Sequence, residues 1–120
     1  PHNASAFLTD LEGFGFDLLS VTQSAKNLSE ATTDFALSVE ALQVIYNNKD
    51  SLFKWSVANA ELTKNSFGEA KIDKKTNGTR IDPVDAVIDA WYIMKAYEQT
   101  EAQNKVKEEQ LDKFCDAFYK

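Results

Sequence analysis

The chain has 120 residues, of which 43% are hydrophobic, 27% charged and 12% aromatic, and its formal net charge is −6. That length suits one domain with a modest core. No apolar run approaches the roughly 20 residues that cross a bilayer, and the start lacks the charged-then-apolar order of a signal peptide. The acidic balance argues against autonomous DNA binding by general electrostatics, which calls for a basic excess. The single cysteine, Cys115, rules out an internal disulfide and a cysteine metal cluster, and a reducing cytoplasm is its simplest setting.

In chain order, the spacing of Phe7, Leu11 and Phe14 predicts a helix over Asn3–Phe14, stopped by Gly13 and Gly15. Phe16–Val21 is short and apolar, bounded by a glycine and by polar residues, and reads as a buried strand. A polar connection over Thr22–Leu28 leads to Ser29, which reads as an N-cap with Glu30 and Asp34 near the positive end of the helix dipole. This second helix is expected to run to Tyr46, with Phe35, Val39, Leu42 and Tyr46 on one face. Asn47, Asn48 and Asp50 break it, and Ser51–Trp55 reads as a short further helix.

Asn59–Ile72 has the pattern of a hairpin, with strands at Ala60–Lys64 and Glu69–Ile72 joined across Asn65-Ser66-Phe67-Gly68. Lys71–Arg80 reads as a basic loop, with Asn77-Gly78 as a turn. Asp82 is a good N-cap for a helix whose first turn holds Pro83. Val84, Val87, Ile88, Trp91 and Met94 then form one apolar stripe. Glu98–Glu109 is strongly polar, and an apolar set returns at Leu111, Phe114, Cys115 and Phe118. One long helix, or two with a solvated middle, fits this pattern equally. The expected fold class is α+β and α-rich, with one part over residues 1–97 and a helical tail over residues 98–120. The tail stripe is expected to pack on the domain or on a second copy.

Asp82, Asp85 and Asp89 are the sharpest chemical feature. Positions three and four apart share a helix face, so the three carboxylates line one edge of the first two turns, a plausible seat for a hard divalent cation. The structural reading competes strongly: Asp82 as cap and Asp85 at the capping-box position both suit the dipole, and caps of this kind are common. Lys71, Lys74, Lys75 and Arg80 form the only basic cluster. Such a cluster can touch phosphates without reading bases, or it can simply offset an acidic surface. His2, the only histidine, lies at the terminus, and no serine has a histidine placed to activate it. No GxxxxGK[ST] loop is present. Trp55, Trp91 and Cys115 read as core residues.

The order of segments adds a resemblance. Pro1-His2-Asn3-Ala4 opens a helix and Gly15-Phe16 leads into the expected strand. Leu28-Ser29-Glu30-Ala31 opens the next helix, and Leu52-Phe53-Lys54-Trp55 precedes Val57-Ala58-Asn59-Ala60. A hairpin and Lys74 follow, and Arg80-Ile81-Asp82-Pro83-Val84-Asp85-Ala86 closes the series. Together these resemble the C-terminal part of the nuclease domain of the phage terminase large subunit family, from about Pro1 to Tyr97. The resemblance implies an RNase H-like fold, here a C-terminal fragment with one core strand, a β-hairpin and a long C-terminal helix. It implies metal-dependent cleavage of concatemeric viral DNA with Mg²⁺ or Mn²⁺, in the host cytoplasm, alongside an ATPase half. Double-stranded viral DNA, a small terminase subunit and a portal protein are the implied partners.

The aspartate of the family's Ile-Asp-x-x-x-Ala pattern falls on Asp82, as a catalytic, metal-binding acid, with Asp85 a less regular companion. The family's other two catalytic acids would precede this chain, which alone is then expected not to cut. Two other readings stand beside this one. The chain could be a small α-rich interaction module docking through Leu111, Phe114 and Phe118, with self-association through the last helix, or an acidic protein that binds divalent metal for structure only.

Overall fold

The computed structural model describes residues 4–119 of the backbone and the side chains of residues 4–117. The helix start at Asn3, the terminal His2 and the side chain of Phe118 lie outside the described residues. The first helix, α1 (Ser5–Gly13), ends where the sequence places its stop. Gly15 adopts φ +87°, and the N–H groups of Gly15 and Phe16 return to the carbonyls of Glu12 and Leu11. This glycine-dependent closure satisfies carbonyls that the helix end would leave open. No residue of α1 is buried.

Phe16–Val21 is not a strand. The segment has no regular secondary structure, and none of the backbone N–H groups of residues 17–21 donates to a protein acceptor among the described residues. Phe16 and Leu19 are 61% and 68% exposed. The apolar composition reports what side chains prefer, whereas a strand also needs a neighbour with free backbone groups.

The next helix, α2 (Ala25–Glu40), starts one turn earlier than expected because Ser24 is its cap, its hydroxyl accepting from the Asn27 N–H at 3.2 Å. Ser29, the expected cap, instead accepts the N–H of buried Ala70 at 2.8 Å and ties the helix to the sheet. The helix also stops short of Tyr46. Leu42 takes a left-handed φ of 57°, and Gln43 returns its N–H to the Ser38 carbonyl at 2.9 Å. A leucine pays about 1–2 kcal/mol for that conformation. In exchange the chain turns Val44 onto the core and sets Tyr46 against Phe53, ring centroids 5.6 Å apart.

Asp50 caps α3 (Ser51–Ala58) through a bond from the Phe53 N–H at 2.9 Å. Trp55, expected in the core, is 43% exposed. The adjoining Asn59 closes the helix by donating its side-chain amide to the Trp55 carbonyl at 2.7 Å. The hairpin follows as predicted, with β1 (Ala60–Lys64) antiparallel to β2 (Ala70–Lys74) and Leu62 facing Ile72. Lys71 lies in the second strand, where Glu69–Ile72 was expected, and Lys74 lies in it too rather than in the basic loop. These two strands make the only sheet among the described residues.

The last element, α4 (Asp82–Tyr119), is one continuous helix of 38 residues. Its first turns build the core: Ile81, Val84 and Ile88 bury against Phe35 of α2, with Leu28, Phe53, Val57, Ile72 and Trp91 packed around them. Trp91 meets Phe35 edge-on at 5.3 Å and donates its indole N–H to Asp34 at 2.7 Å. The Lys95 ammonium reaches the same carboxylate at 3.3 Å. Past that point the helix leaves the domain. Residues 98–117 are all exposed, so Leu111 and Cys115 are not buried on the domain, the first of the two expected positions for this stripe. The charged stretch before them gives the helix nothing to bury there.

Because so few side chains are buried, each should matter. Phe35→Ala is expected to lower the unfolding free energy by about 3 kcal/mol or more. Val106→Ala, on the exposed part of α4, should change it by no more than about 0.5 kcal/mol. Urea unfolding followed by tryptophan fluorescence measures both.

Candidate functional site

The acidic start of α4 lies beside the open end of the hairpin. Asp82 is the first residue of the helix, not the residue before it, and the Ile81 carbonyl accepts the first helical bond from the Asp85 N–H at 2.9 Å. Buried Ile81, Val84 and Ile88 anchor one side of these turns. Helical geometry then turns Asp82, Asp85 and Asp89 to a shared edge. Asp82 is exposed, whereas Asp85 and Asp89 are half-buried.

Between this edge, the start of α2 and strand β2 lies a cleft of about 210 Å³, lined by Gln23, Ser24, Thr32, Lys71, Asp85 and Asp89 among others. The Gln23 side-chain amide donates to Asp89 at 2.8 Å and fixes that carboxylate against the segment preceding α2. Burial pushes the Asp85 carboxyl above its ordinary value, and the nearby carboxylates of Asp89, Asp82 and Asp73 push it further. The Lys74 ammonium pulls the other way. The site thus concentrates negative charge where one carboxylate is already partly withdrawn from water.

Of the four expected basic residues, Lys71 and Lys74 come to this acidic edge, one lining the cleft and one acting on Asp85 through its charge. Lys75 and Arg80 are exposed and do not line the cleft. Sequence reasoning missed Gln23, which lies 66 residues from its partner and carries no local signal. It also missed Asp73, hidden within a stretch read only for its lysines.

Carboxylate oxygens are the right donors for magnesium or manganese, and a cation beside Asp85 would relieve the repulsion that raises its pKa. The donors fit in kind and fall short in number. Among the described residues, no three of His, Cys, Asp and Glu gather closely enough to hold a metal ion. The edge provides ligands from one side only. No helix is long and apolar enough to cross a membrane among the described residues.

Comparison with known families supplies a match over residues 1–99 to the model described as the terminase large subunit, endonuclease domain. No curated protein and no solved structure matches the chain.

The raised pKa of Asp85 has a definite sign in stability. The folded protein holds this proton more tightly than the unfolded chain does. Stability therefore falls as pH rises from the ordinary value of 3.8 through the folded value, and the penalty is complete above it. Asp85→Asn should be more stable than the unsubstituted protein at neutral pH and equal to it once both states are protonated in acid. Thermal unfolding across that pH range checks the convergence.

Proposed function

The chain belongs to the terminase large subunit family, matching its endonuclease domain, and from that premise we propose that the α4 edge supplies carboxylates for metal-dependent cleavage of concatemeric viral DNA. The observation that supports this reading is the pair Asp85 and Asp89 lining one cleft beside the lysine-bearing strand β2, with Asp82 near enough on the same helix to act on Asp85 through its charge. Asp82 is the principal acid: it stands exposed as the first residue of α4, where a phosphodiester of a duplex could reach it. Asp85, half-buried behind it, is the supporting acid, and Asp89 is held by Gln23.

When bound, a divalent ion of the Mg²⁺ or Mn²⁺ type polarises a phosphoryl oxygen and lowers the pKa of a water nucleophile. The residues of this chain act around that chemistry. Asp82 and Asp85 provide hard anionic oxygens on one side. Lys71 and Lys74 offset the negative charge of the cleft, and with Lys75 and Arg80 they hold phosphates of the DNA backbone without reading sequence. Two-metal cleavage needs carboxylates on both sides of the ion pair, so the complete nuclease draws the others from elsewhere in the terminase large subunit, and the chain alone does not cut. This arrangement accommodates the overall charge of −6. Five of the 13 cationic residues lie between Lys64 and Arg80, and bound metal would offset the carboxylates facing DNA.

The reading extends to partners and place. In the parent protein, an ATPase half drives packaging in the host cytoplasm, and the small terminase subunit and portal protein are its partners. An RNase H-like sheet completes the nuclease fold. The exposed outer part of α4 projects from the domain and is the portion available for docking, to the portal or to a second copy.

In the full-length terminase large subunit, Asp82→Asn should abolish DNA cleavage while ATP hydrolysis and folding stay near normal, because an amide keeps the shape and removes the charge. Asp85→Asn should reduce cleavage less. Nicking of supercoiled plasmid in magnesium or manganese measures both, and an unchanged rate for Asp82→Asn would overturn the assignment. Truncation after Tyr97 should impair DNA packaging more than cleavage, read by packaging and nicking assays side by side.

A further inference from the structure

The hairpin that ends at the acidic cleft has a second end, and that end is built. Asn65 organises the turn with four of its own groups. Its side-chain oxygen accepts the N–H groups of Phe67 and Glu69, both at 3.0 Å. Its side-chain amide donates to the Glu69 carboxylate at 2.8 Å, and its backbone N–H donates to the Glu69 carbonyl at 3.1 Å. Gly68, at φ +76°, returns its N–H to the Asn65 carbonyl at 3.0 Å. A turn held this way has little freedom to fold its apolar residue inward. Phe67 projects at 85% exposure.

Charge along the same stretch runs against the rest of the molecule. From Lys64 to Arg80 the chain carries five cations and two anions, Glu69 and Asp73, within a protein of net charge −6. One of those anions, Glu69, is occupied by Asn65. The hairpin therefore presents lysines along its strands, an aromatic ring at its tip and acidic groups at its base. Five residues of strand span about 17 Å, close to the width of a DNA duplex, so a duplex whose backbone lies at Asp82 has the tip within reach of its far side or of an adjacent groove.

Resting on the reading of the site as a DNA-cleaving one, we propose that Phe67 is a nucleic-acid contact: an apolar wedge that meets base faces while the hairpin lysines hold the phosphates. A phenyl ring set among cations is suited to this task, since every base offers a face to stack on and wedging residues enter between base steps. Lysines alone would leave the duplex free to slide along the strand. The ring adds a contact that does not depend on ionic strength, which fixes where the backbone lies relative to Asp82.

The test uses the full-length terminase large subunit and a short fluorescent DNA duplex without added metal, with affinity measured by anisotropy over a range of salt. Phe67→Ala should weaken binding about tenfold, the scale of one lost stacking contact, and leave the slope of affinity against salt unchanged. Phe67→Trp should restore the affinity. Lys71→Ala should instead reduce that slope by about one. The Phe67 ring is almost wholly exposed, so its removal leaves the fold in place, and circular dichroism confirms this.

An affinity for Phe67→Ala within twofold of the unsubstituted protein overturns the proposal. So does a loss that tryptophan does not restore, or one accompanied by a changed salt slope. Plasmid nicking by Asp82→Asn, run in parallel, separates the two ideas. If Asp82→Asn is inactive while Phe67→Ala binds normally, only the role of Phe67 fails. If Asp82→Asn cuts normally, the assignment of the site fails.

Discussion

Everything in this molecule hangs on one contact, the packing of α2 across the first turns of α4. Phe35 enters from one helix, Val84 and Ile88 enter from the other, and Ile81 enters from the residue just before it. The Asp34 carboxylate closes the contact by accepting from the Trp91 indole, and Lys95 completes it from the same helix. The Trp91 hydrogen bond holds the Asp34 carboxyl below its ordinary value, reinforced by Lys95 and opposed by partial burial. That ionised group supports the helix pair above its ordinary pKa and ceases to do so as pH falls through the lowered one. Asp34 and Asp85 thus act oppositely: one is stabilised by folding as an anion, the other is penalised.

The same contact explains why the acids face where they do. Burying Val84 and Ile88 fixes the rotation of α4, and rotation is what sends Asp82, Asp85 and Asp89 to a common edge. Ser29 does the equivalent for the hairpin, since its bond to the Ala70 N–H sets β2 against α2. Lys71 and Lys74 then come to the acids without any direct ion pair among them. Charge in the candidate site is arranged by apolar burial and by one hydroxyl, not by mutual attraction of the charged groups.

How much of this could be read from sequence follows from the range of each interaction. The hairpin was legible because its turn signal and both strands lie within fifteen residues of each other. The start of α4 was legible because Asp82-Pro83 and the stripe from Val84 to Trp91 are local patterns. The ends of α2 were not. Ser24 and Ser29 are both plausible caps, and the choice was made by Ala70, far along the chain. Leu42 breaks the helix in a conformation that leucine avoids, for contacts made by Val44 and Tyr46. Phe16–Val21 has strand composition, yet strand identity belongs to a pair. At the site, Asp82 and Asp85 were visible as a spacing, while Gln23 and Asp73 entered only through tertiary placement.

The continuous helix also has a mechanical meaning. At 1.5 Å per residue, the 38 residues of α4 form a rod about 57 Å long. The domain grips that rod over its first turns, from Val84 through Ile88 to Trp91 and Lys95, and leaves the rest in solvent. Asp82 sits inside this grip, between buried Ile81 and Val84. Residue 117 lies about 33 Å beyond Lys95. The rod is therefore a cantilever clamped at one end. A sideways load at its outer end is carried as torque by Phe35, Val84 and Ile88 and by the Asp34 contact.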